Sequence, residues 1–199
     1  MESMHNEGIS VIIPTHAGRK SVVLAVQSLL SQADNLFEII VVTDGDGTAT
    51  RELLGEFHDP RLTLIEQPKA GSSATRNAGL AAAQHDWVAF VDDDDVPRDN
   101  WVSTFRTHMN DNVNAVTAGL ALWREGRLVE KKTCHLDPDD KTLEASTMMA
   151  GAFVIRLNIV QAVGGYDTGL RAAQNQDLGL RICEHVNTHE VLGLWLEVE

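Results

Sequence analysis

Cysteine is scarce in this chain of 199 residues: Cys134 and Cys183 are the only two, too few for a disulfide framework. The opening MESMHNEG is polar and carries no charged-then-apolar leader pattern, so a reducing, cytoplasmic setting is expected. Basic residues are also few. Against 29 Asp and Glu stand 16 Lys and Arg, and the net charge of -13 is spread along the chain, so a phosphate backbone is repelled and no nucleic-acid partner is expected. Long hydrophobic runs are missing as well. None approaches the roughly 20 apolar residues that cross a bilayer, which leaves only peripheral membrane contact open. No repeat, low-complexity tract or linker interrupts the sequence, and at about 150 residues per domain the length predicts one domain over residues 1–199.

What is present is an alternation of strands and helices. ISVIIP (Ile9 to Pro14) is short, β-branched and apolar on both alternations, the pattern of a strand covered on both faces. From Arg19 to Gln32 the apolar residues Val22, Val23, Val26, Leu29 and Leu30 recur at helical spacing. The unit then repeats. FEIIVVTD (Phe37 to Asp44) predicts a second strand, Ala49 to Phe57 a short helix, LTLIEQ (Leu62 to Gln67) a third strand, Gly71 to Gln84 a helix and WVAFV (Trp87 to Val91) a fourth strand. This order predicts an α/β fold with a mostly parallel central sheet and helices on both faces. Such sheets bind ligands at the carboxyl ends of their strands. Three of these ends carry polar groups, Thr15-His16, Asp44-Gly45-Asp46 and Asp92 to Asp95, and they are expected to converge on one edge.

The second half predicts a smaller antiparallel part. Asn114 to Trp123 and Leu128 to Thr133 read as a hairpin joined through Arg-Glu-Gly-Arg, and CHLDPDDK (Cys134 to Lys141) as a loop. Met148 to Ile155 reads as a strand, Leu157 to Val163 and Asp177 to Glu184 as helices, and the final VLGLWLEVE as a strand. Cys134, His135 and Asp137 crowd one loop with no second cluster, which is the pattern of a surface turn more than of a metal site.

The stretch WVAFVDDDDVPRDNW sets four carboxylates directly on the end of an apolar strand. Their repulsion needs a positive partner. An acidic run without a fixed place is a solvated loop, but these carboxylates stand on a rigid element at the ligand edge. A hard divalent cation, Mg²⁺ or Mn²⁺, suits them, because it takes one or two protein carboxylates and completes its shell with water and phosphate oxygens. Two chemistries use such a group. In one, Asp92-x-Asp94 holds the metal of a nucleotide diphosphate that leaves. In the other, as in haloacid-dehalogenase-like phosphohydrolases, Asp92 is the nucleophile and Asp94 its acid/base. In that phosphohydrolase family the aspartate strand usually lies near the N-terminus, whereas here three strand–helix units precede it.

Four segments carry a resemblance: SVIIPTHAGRKSVVLAVQSLLSQ (Ser10 to Gln32), EIIVVTDGDGT (Glu38 to Thr48), AGSSATRNAGLAAAQHDWVAFVDDDD (Ala70 to Asp95) and AGAFVIRLNIVQAVGGYD (Ala150 to Asp167). In order and spacing they resemble the family-2 nucleotide-sugar glycosyltransferases of GT-A fold. The resemblance implies a nucleotide-binding half at about residues 9–110 and an acceptor-side half at about 111–199. It implies that Pro14, Thr15 and His16 cradle the base, with His16 where a stacking tyrosine often stands, and that Asp44 hydrogen-bonds the base, with Thr43 replacing a neighbouring aspartate. It further implies that Arg76 reaches the nucleotide, that Asp92 and Asp93 contact the ribose, that Asp94 is the metal ligand and that Asp95 caps the next helix or supports the site. Tyr166, in Gly164-Gly165-Tyr166-Asp167, lies in a turn toward the acceptor side and is either functional or packing.

The implied activity is metal-dependent, inverting transfer from a nucleotide-diphosphate sugar, UDP-linked as is common in the family, to a hydroxyl acceptor on a glycan, lipid or small molecule. The pattern also departs from the family. Where the family reads Glu-Asp-x-Asp-Leu this chain has QNQDL (Gln174 to Leu178), which places Asn175 at the usual base position. An amide does not accept the proton usefully, so either Asp177 takes over as the catalytic base, another carboxylate does, or the protein transfers poorly or not at all and serves as a donor-binding fold. The carboxylate of Asp177 also suits the first turn of a helix. Family members commonly continue beyond the position of His189, so the acceptor side is expected to be short here, completed by a partner, by a second copy in a homo-oligomer, or not at all. No Gln-x-x-Arg-Trp of the processive synthases is present, which disfavours a polymerase.

Overall fold

The computed structural model describes residues 8–124 and 127–193. Its first half alternates as the sequence predicts: β1 (Ile9–His16), α1 (Val22–Leu30), β2 (Phe37–Asp44), α2 (Thr48–Leu54), β3 (Leu62–Gln67), α3 (Ser72–Ala82) and β4 (Trp87–Phe90). Then follow α4 (Trp101–His108), β5 (Ala115–Thr117), β6 (Gly119–Arg124), β7 (Arg127–Thr133), β8 (Phe153–Arg156), α5 (Leu157–Ala162), α6 (Gln174–His185), a 3-10 turn at Thr188–Glu190 and β9 (Val191–Gly193).

Seven strands form one sheet in the order β3-β2-β1-β4-β8-β5-β9, and β6 pairs with β7 in a separate ribbon. The first four strands are parallel, β8 enters antiparallel between β4 and β5, and β9 returns parallel to β5. Apolar residues on both alternations of the strands demand cover on both faces, and helices supply it. Val11, Ile13, Ile39, Val41 and Ala89 pack with α1 and with Val102 and Phe105 of α4. On the other face Ile12, Ile40, Val42, Val88 and Phe90 pack with Leu80 of α3, Val160 of α5 and Leu178 and Ile182 of α6. Among the described residues no helix is long and apolar enough to cross a membrane.

Three expectations are corrected. Arg19 is not helical: the chain turns there, with its amide donating to the His16 carbonyl at 3.2 Å, and α1 begins at Val22. Asn114 to Trp123 is not one hairpin arm. Ala115, Val116 and Thr117 are fully buried and need a sheet covered on both sides, so they join the central sheet, whereas Leu122 and Trp123 are exposed on the ribbon. The break falls at Ala118, whose amide donates to the Ala152 carbonyl at 2.7 Å while its carbonyl accepts from the Cys134 amide at 3.1 Å. Finally, only Phe153–Arg156 of the predicted strand from Met148 is extended, because Gly151 and Ala152 spend their amides on the Phe90 and Met149 carbonyls. Of the final VLGLWLEVE, Val191–Gly193 pairs with β5, and residues 194–199 lie outside the described residues, as do residues 125 and 126 of the predicted turn.

Gly179 marks the tightest approach of α6 to its support, since a Cβ there would stand 2.1 Å from the Ser146 carbonyl oxygen, a backbone atom that cannot rotate away. Gly179→Ala is therefore expected to destabilise the protein by about 2 kcal/mol in urea unfolding, despite alanine's better helix propensity; an unchanged midpoint would mean that α6 shifts freely on this loop.

Candidate functional site

Parallel pairing puts the carboxyl ends of β1, β2 and β4 on one edge, with His16 in register opposite Asp44. A cavity of about 210 Å³ opens there, and Pro14, Thr15, His16, Asp44, Arg76, Asp92, Asp93 and Asp94 all line it, joined by Arg19, Ser72 and Thr75. The expected convergence of the three strand ends is present.

The four aspartates do not point one way. The amide of Asp95 donates to the Asp92 carbonyl at 3.0 Å, and this closed turn distributes the carboxylates between two cavities. Asp92, Asp93 and Asp94 face the first cavity, while Asp95 lines a second of about 410 Å³ with Trp101, Phe105, Leu120, Trp123, Arg98 and Asn100. Asp95 does not cap the next helix, which starts at Trp101 with Asn100 in the capping position; the intervening Val96-Pro97-Arg98-Asp99 keeps it away. Burial, reinforced by Asp92 and Asp94, pushes the Asp95 carboxyl up to about 6.

The other three aspartates share two guanidiniums, Arg76 on Asp92 and Arg19 on both Asp93 and Asp94. Arg76 donates from Nη2 to Asp92 at 2.9 Å. Asp93 is almost fully buried, accepting from the Thr15 hydroxyl at 2.5 Å and from Arg19 Nη1 at 2.8 Å, so both its oxygens are engaged. The Asp94 side chain is 57% exposed and, among the described residues, accepts from the second amino group of Arg19 alone, at 3.1 Å. Asp44 accepts from the Ala70 and Gly71 amides at 2.7 and 3.2 Å and thereby holds the loop entering α3, with His16 Nδ1 at 4.0 Å. Thr43, in place of the family's usual aspartate, is completely buried, and its hydroxyl has no partner among the described residues.

Arg76, Asn77 and Gly79 of α3 each make a separate contact. Arg76 lies over the Tyr166 ring, 5.4 Å from its centroid, and holds Asp92. Asn77 donates to the Tyr166 carbonyl and accepts its amide, both at 2.8 Å, pinning that turn to the helix. Gly79 permits close packing on β1, since a Cβ would come within 2.4 Å of Ile12 Cγ2. Tyr166 itself is buried edge-on to Phe90, a packing residue beneath the site. Arg19, Asn77 and the amides of Ala70 and Gly71 escaped sequence reasoning; the Asn77 pair joins residues 89 apart, which no local pattern announces.

The donor set fits a hard dication. Lining the smaller cavity are four carboxylates, hard oxygen donors, against two guanidiniums, and the most exposed carboxylate, Asp94, is held among the described residues by Arg19 alone. Among the described residues no three His, Cys, Asp or Glu side chains are already grouped as a metal cage, Cys134, His135 and Asp137 included.

The family model of glycosyl transferase family 2 matches residues 10–173. This chain belongs to glycosyl transferase family 2. The pre-mycofactocin glycosyltransferase of Mycobacterium tuberculosis is 27% identical over 190 residues, covering 88% of this chain and 39% of that protein. Glycosyltransferase GlyA of Streptococcus pneumoniae is 37% identical over 101 residues, 50% of this chain and 14% of that one. The chain thus spans well under half the length of these curated relatives. Residues 1–349 of S. aureus TarS, in complex with UDP-GlcNAc, superpose with a TM-score of 0.78 at 18% identity, over 94% of this chain and 56% of that one. Mannosyltransferase PcManGT from Pyrobaculum calidifontis, in complex with GDP-Man and Mn²⁺, gives 0.67 at 18% identity, over 96% and 57%. These likenesses show a GT-A-like fold, and the family assignment overturns the phosphohydrolase reading of Asp92 and Asp94.

Relative to the family-2 pattern, the base region holds the main departure. Asp177 lies in the first turn of α6, where Arg181 Nε donates to it at 3.0 Å and Nη2 at 2.5 Å, and it lines neither cavity. Arg181 is itself fixed by the Val163 and Gly165 carbonyls at 2.6 and 2.8 Å. The amino end of α6 does reach the site's rim, with Gln174 Nε2 3.4 Å from the Ser72 hydroxyl.

Two outcomes separate the roles of the aspartates. Asp93→Ala is expected to lose about 2 kcal/mol of stability in urea, because a buried hydrogen-bonded charge is removed and Thr15 and Arg19 lose their acceptor, whereas Asp94→Ala stays within about 0.5 kcal/mol; equal losses would contradict the division. For Asp95 the raised pKa means that its contribution is present below about 3.8 and lost as pH rises through about 6. In metal-free buffer Asp95→Asn is therefore expected to be more stable than the wild type at pH 8, by about 1 kcal/mol once partial exposure is discounted, with the gain vanishing at pH 4; a pH-independent difference would contradict the burial of this carboxylate.

Proposed function

We propose that this chain binds a nucleoside-diphosphate sugar, UDP-linked, with Mn²⁺ or Mg²⁺ in the 210 Å³ cavity, and transfers the sugar with inversion to a hydroxyl acceptor in the 410 Å³ cavity. The observation that carries this reading is the Asp92–Asp95 turn, which stands as the partition between the two cavities and presents carboxylates to both. In this reading Asp94 holds the cation, with Asp92 toward the ribose and Asp93 behind it. Pro14, Thr15 and His16 form the wall for the base, and Asp44 supports it through the Ala70–Gly71 loop. The bound cation supplies neutralisation of the charge that grows on the leaving diphosphate. Arg76, buried over Tyr166, keeps a fixed positive charge beside that position, where it acts without reorganisation. In this reading the acceptor arrives from the side of Asp95, Trp101 and Trp123 and attacks opposite the leaving group, as inversion requires. TarS with UDP-GlcNAc and PcManGT with GDP-Man and Mn²⁺ support the donor class.

Asp177 serves as proton acceptor in this reading only after release from Arg181 and movement toward the acceptor cavity, which it does not line here. One observation favours a second reading, donor binding without turnover: Asn175 stands at the usual base position and Asp177 is doubly hydrogen-bonded to a fixed arginine.

Calorimetry with UDP and UDP-sugars, with and without Mn²⁺, is expected to show metal-dependent binding that Asp94→Ala abolishes. Metal-independent binding, or an unaffected Asp94→Ala, would remove the metal assignment. With a transferable donor, Asp177→Asn is expected to lower kcat by about 100-fold or more while leaving donor affinity unchanged; transfer that survives intact means another base, and no transfer by the wild type selects the second reading.

A further inference from the structure

Arg19 bridges two carboxylates of very unequal freedom. Its Nη1 donates at 2.8 Å to Asp93, whose side chain is 4% exposed, and its Nη2 at 3.1 Å to Asp94, whose side chain is 57% exposed. The arginine side chain is itself 49% exposed and lines the same cavity as Arg76. The first bond is an anchor, because Asp93 is also gripped by the Thr15 hydroxyl and breaking a buried charge pair is costly. The second is a loose arm, because a pair between exposed charges contributes little. The backbone that presents Arg19 is held in turn: its amide bonds the His16 carbonyl at 3.2 Å, and the Gly18 amide bonds the Thr50 hydroxyl at 3.2 Å.

We propose that Arg19 is an exchangeable counter-ion: pivoting on Asp93, it moves its free amino group from Asp94 to the diphosphate when cation and nucleotide arrive together. This rests on the donor reading above. A cation arriving alone has to displace the guanidinium from Asp94 and leaves that arm without an acceptor. A diphosphate arriving alone draws the arm away and leaves Asp94 uncompensated. Only the pair satisfies every charge, so Arg19 makes cation and nucleotide binding cooperative beyond their direct contact, and linkage requires the effect to be reciprocal. A planar fork holds two acceptors from two separate nitrogens in a fixed geometry, whereas an ammonium presents its donors from a single point.

The test measures Mn²⁺ binding without nucleotide by electron paramagnetic resonance, and UDP binding with and without Mn²⁺ by calorimetry, on the wild type, Arg19→Ala and Arg19→Lys. Mn²⁺ alone is expected to bind Arg19→Ala about two- to fivefold more tightly than the wild type, while UDP with saturating Mn²⁺ binds at least about tenfold more weakly. The factor by which Mn²⁺ strengthens UDP binding is expected to shrink. A bystander positive charge would shift each affinity and leave that factor unchanged, so its constancy in both variants overturns the proposal. Arg19→Lys keeps a charge beside Asp93 and the wild-type melting temperature, and is expected to change in the same directions by less. Weakened or unchanged Mn²⁺ binding in both variants also overturns it. If the wild type binds neither UDP nor GDP with Mn²⁺, the donor reading falls and this proposal with it; if it binds and the coupling is unmoved, the Arg19 proposal falls alone.

Discussion

Repulsion among four adjacent carboxylates is the constraint around which this edge of the molecule is built. β4 is buried on both faces, so the chain leaves the sheet at a fixed point and the aspartates that follow cannot drift apart in solvent. The turn from Asp92 to Asp95 sends the last of them to a different cavity, Arg76 takes the first, and Arg19 spans the two between. Burial first, and the remaining repulsion from Asp92 and Asp94 after it, raise the pKa of Asp95. A cavity lined by four carboxylates and two guanidiniums still carries a negative excess, which is the condition a divalent cation relieves.

α3 ties this edge to the rest of the protein. Asp44 sets its entry loop, Gly79 lets it lie close on β1, Arg76 delivers charge to the site, and Asn77 clamps the Tyr166 turn from the second half. A second link crosses at Trp101, whose indole N–H donates to the Gly151 carbonyl at 2.7 Å and so fixes the wall of the larger cavity. The two cavities are therefore held by separate elements that meet only at the aspartate turn.

Much of this was legible in the sequence, and the reasons are specific. β1, β2 and β4 are apolar on both alternations, the pattern of a doubly covered parallel sheet, so the parallel sheet and its ligand edge followed from periodicity. The second half was harder. Its strands are short, and at Ala118 one apolar stretch passes from a covered sheet to an exposed ribbon with a single glycine, Gly119, and no polar break to mark the change. In the site, the identity of most lining residues was readable because they sit within two residues of a strand end. Their partners were not. Arg19 looked helical by spacing, and its contact with residues more than 70 positions away depends on a turn that closes through the His16 carbonyl. The pairing of Asp177 with Arg181 was hidden in plain i,i+4 spacing, where it reads as ordinary helix-surface charge.

The central claim is that the aspartate turn is a cation site serving a nucleoside diphosphate. Anomalous diffraction at the manganese edge, on crystals grown with UDP and Mn²⁺, tests it most directly. The expected result is a single strong peak within coordination distance of an Asp94 carboxylate oxygen and of the diphosphate, with Arg19 moved off Asp94. A peak elsewhere, or ordered UDP in the cavity with Asp94 still paired to Arg19 and no manganese beside it, would contradict the account.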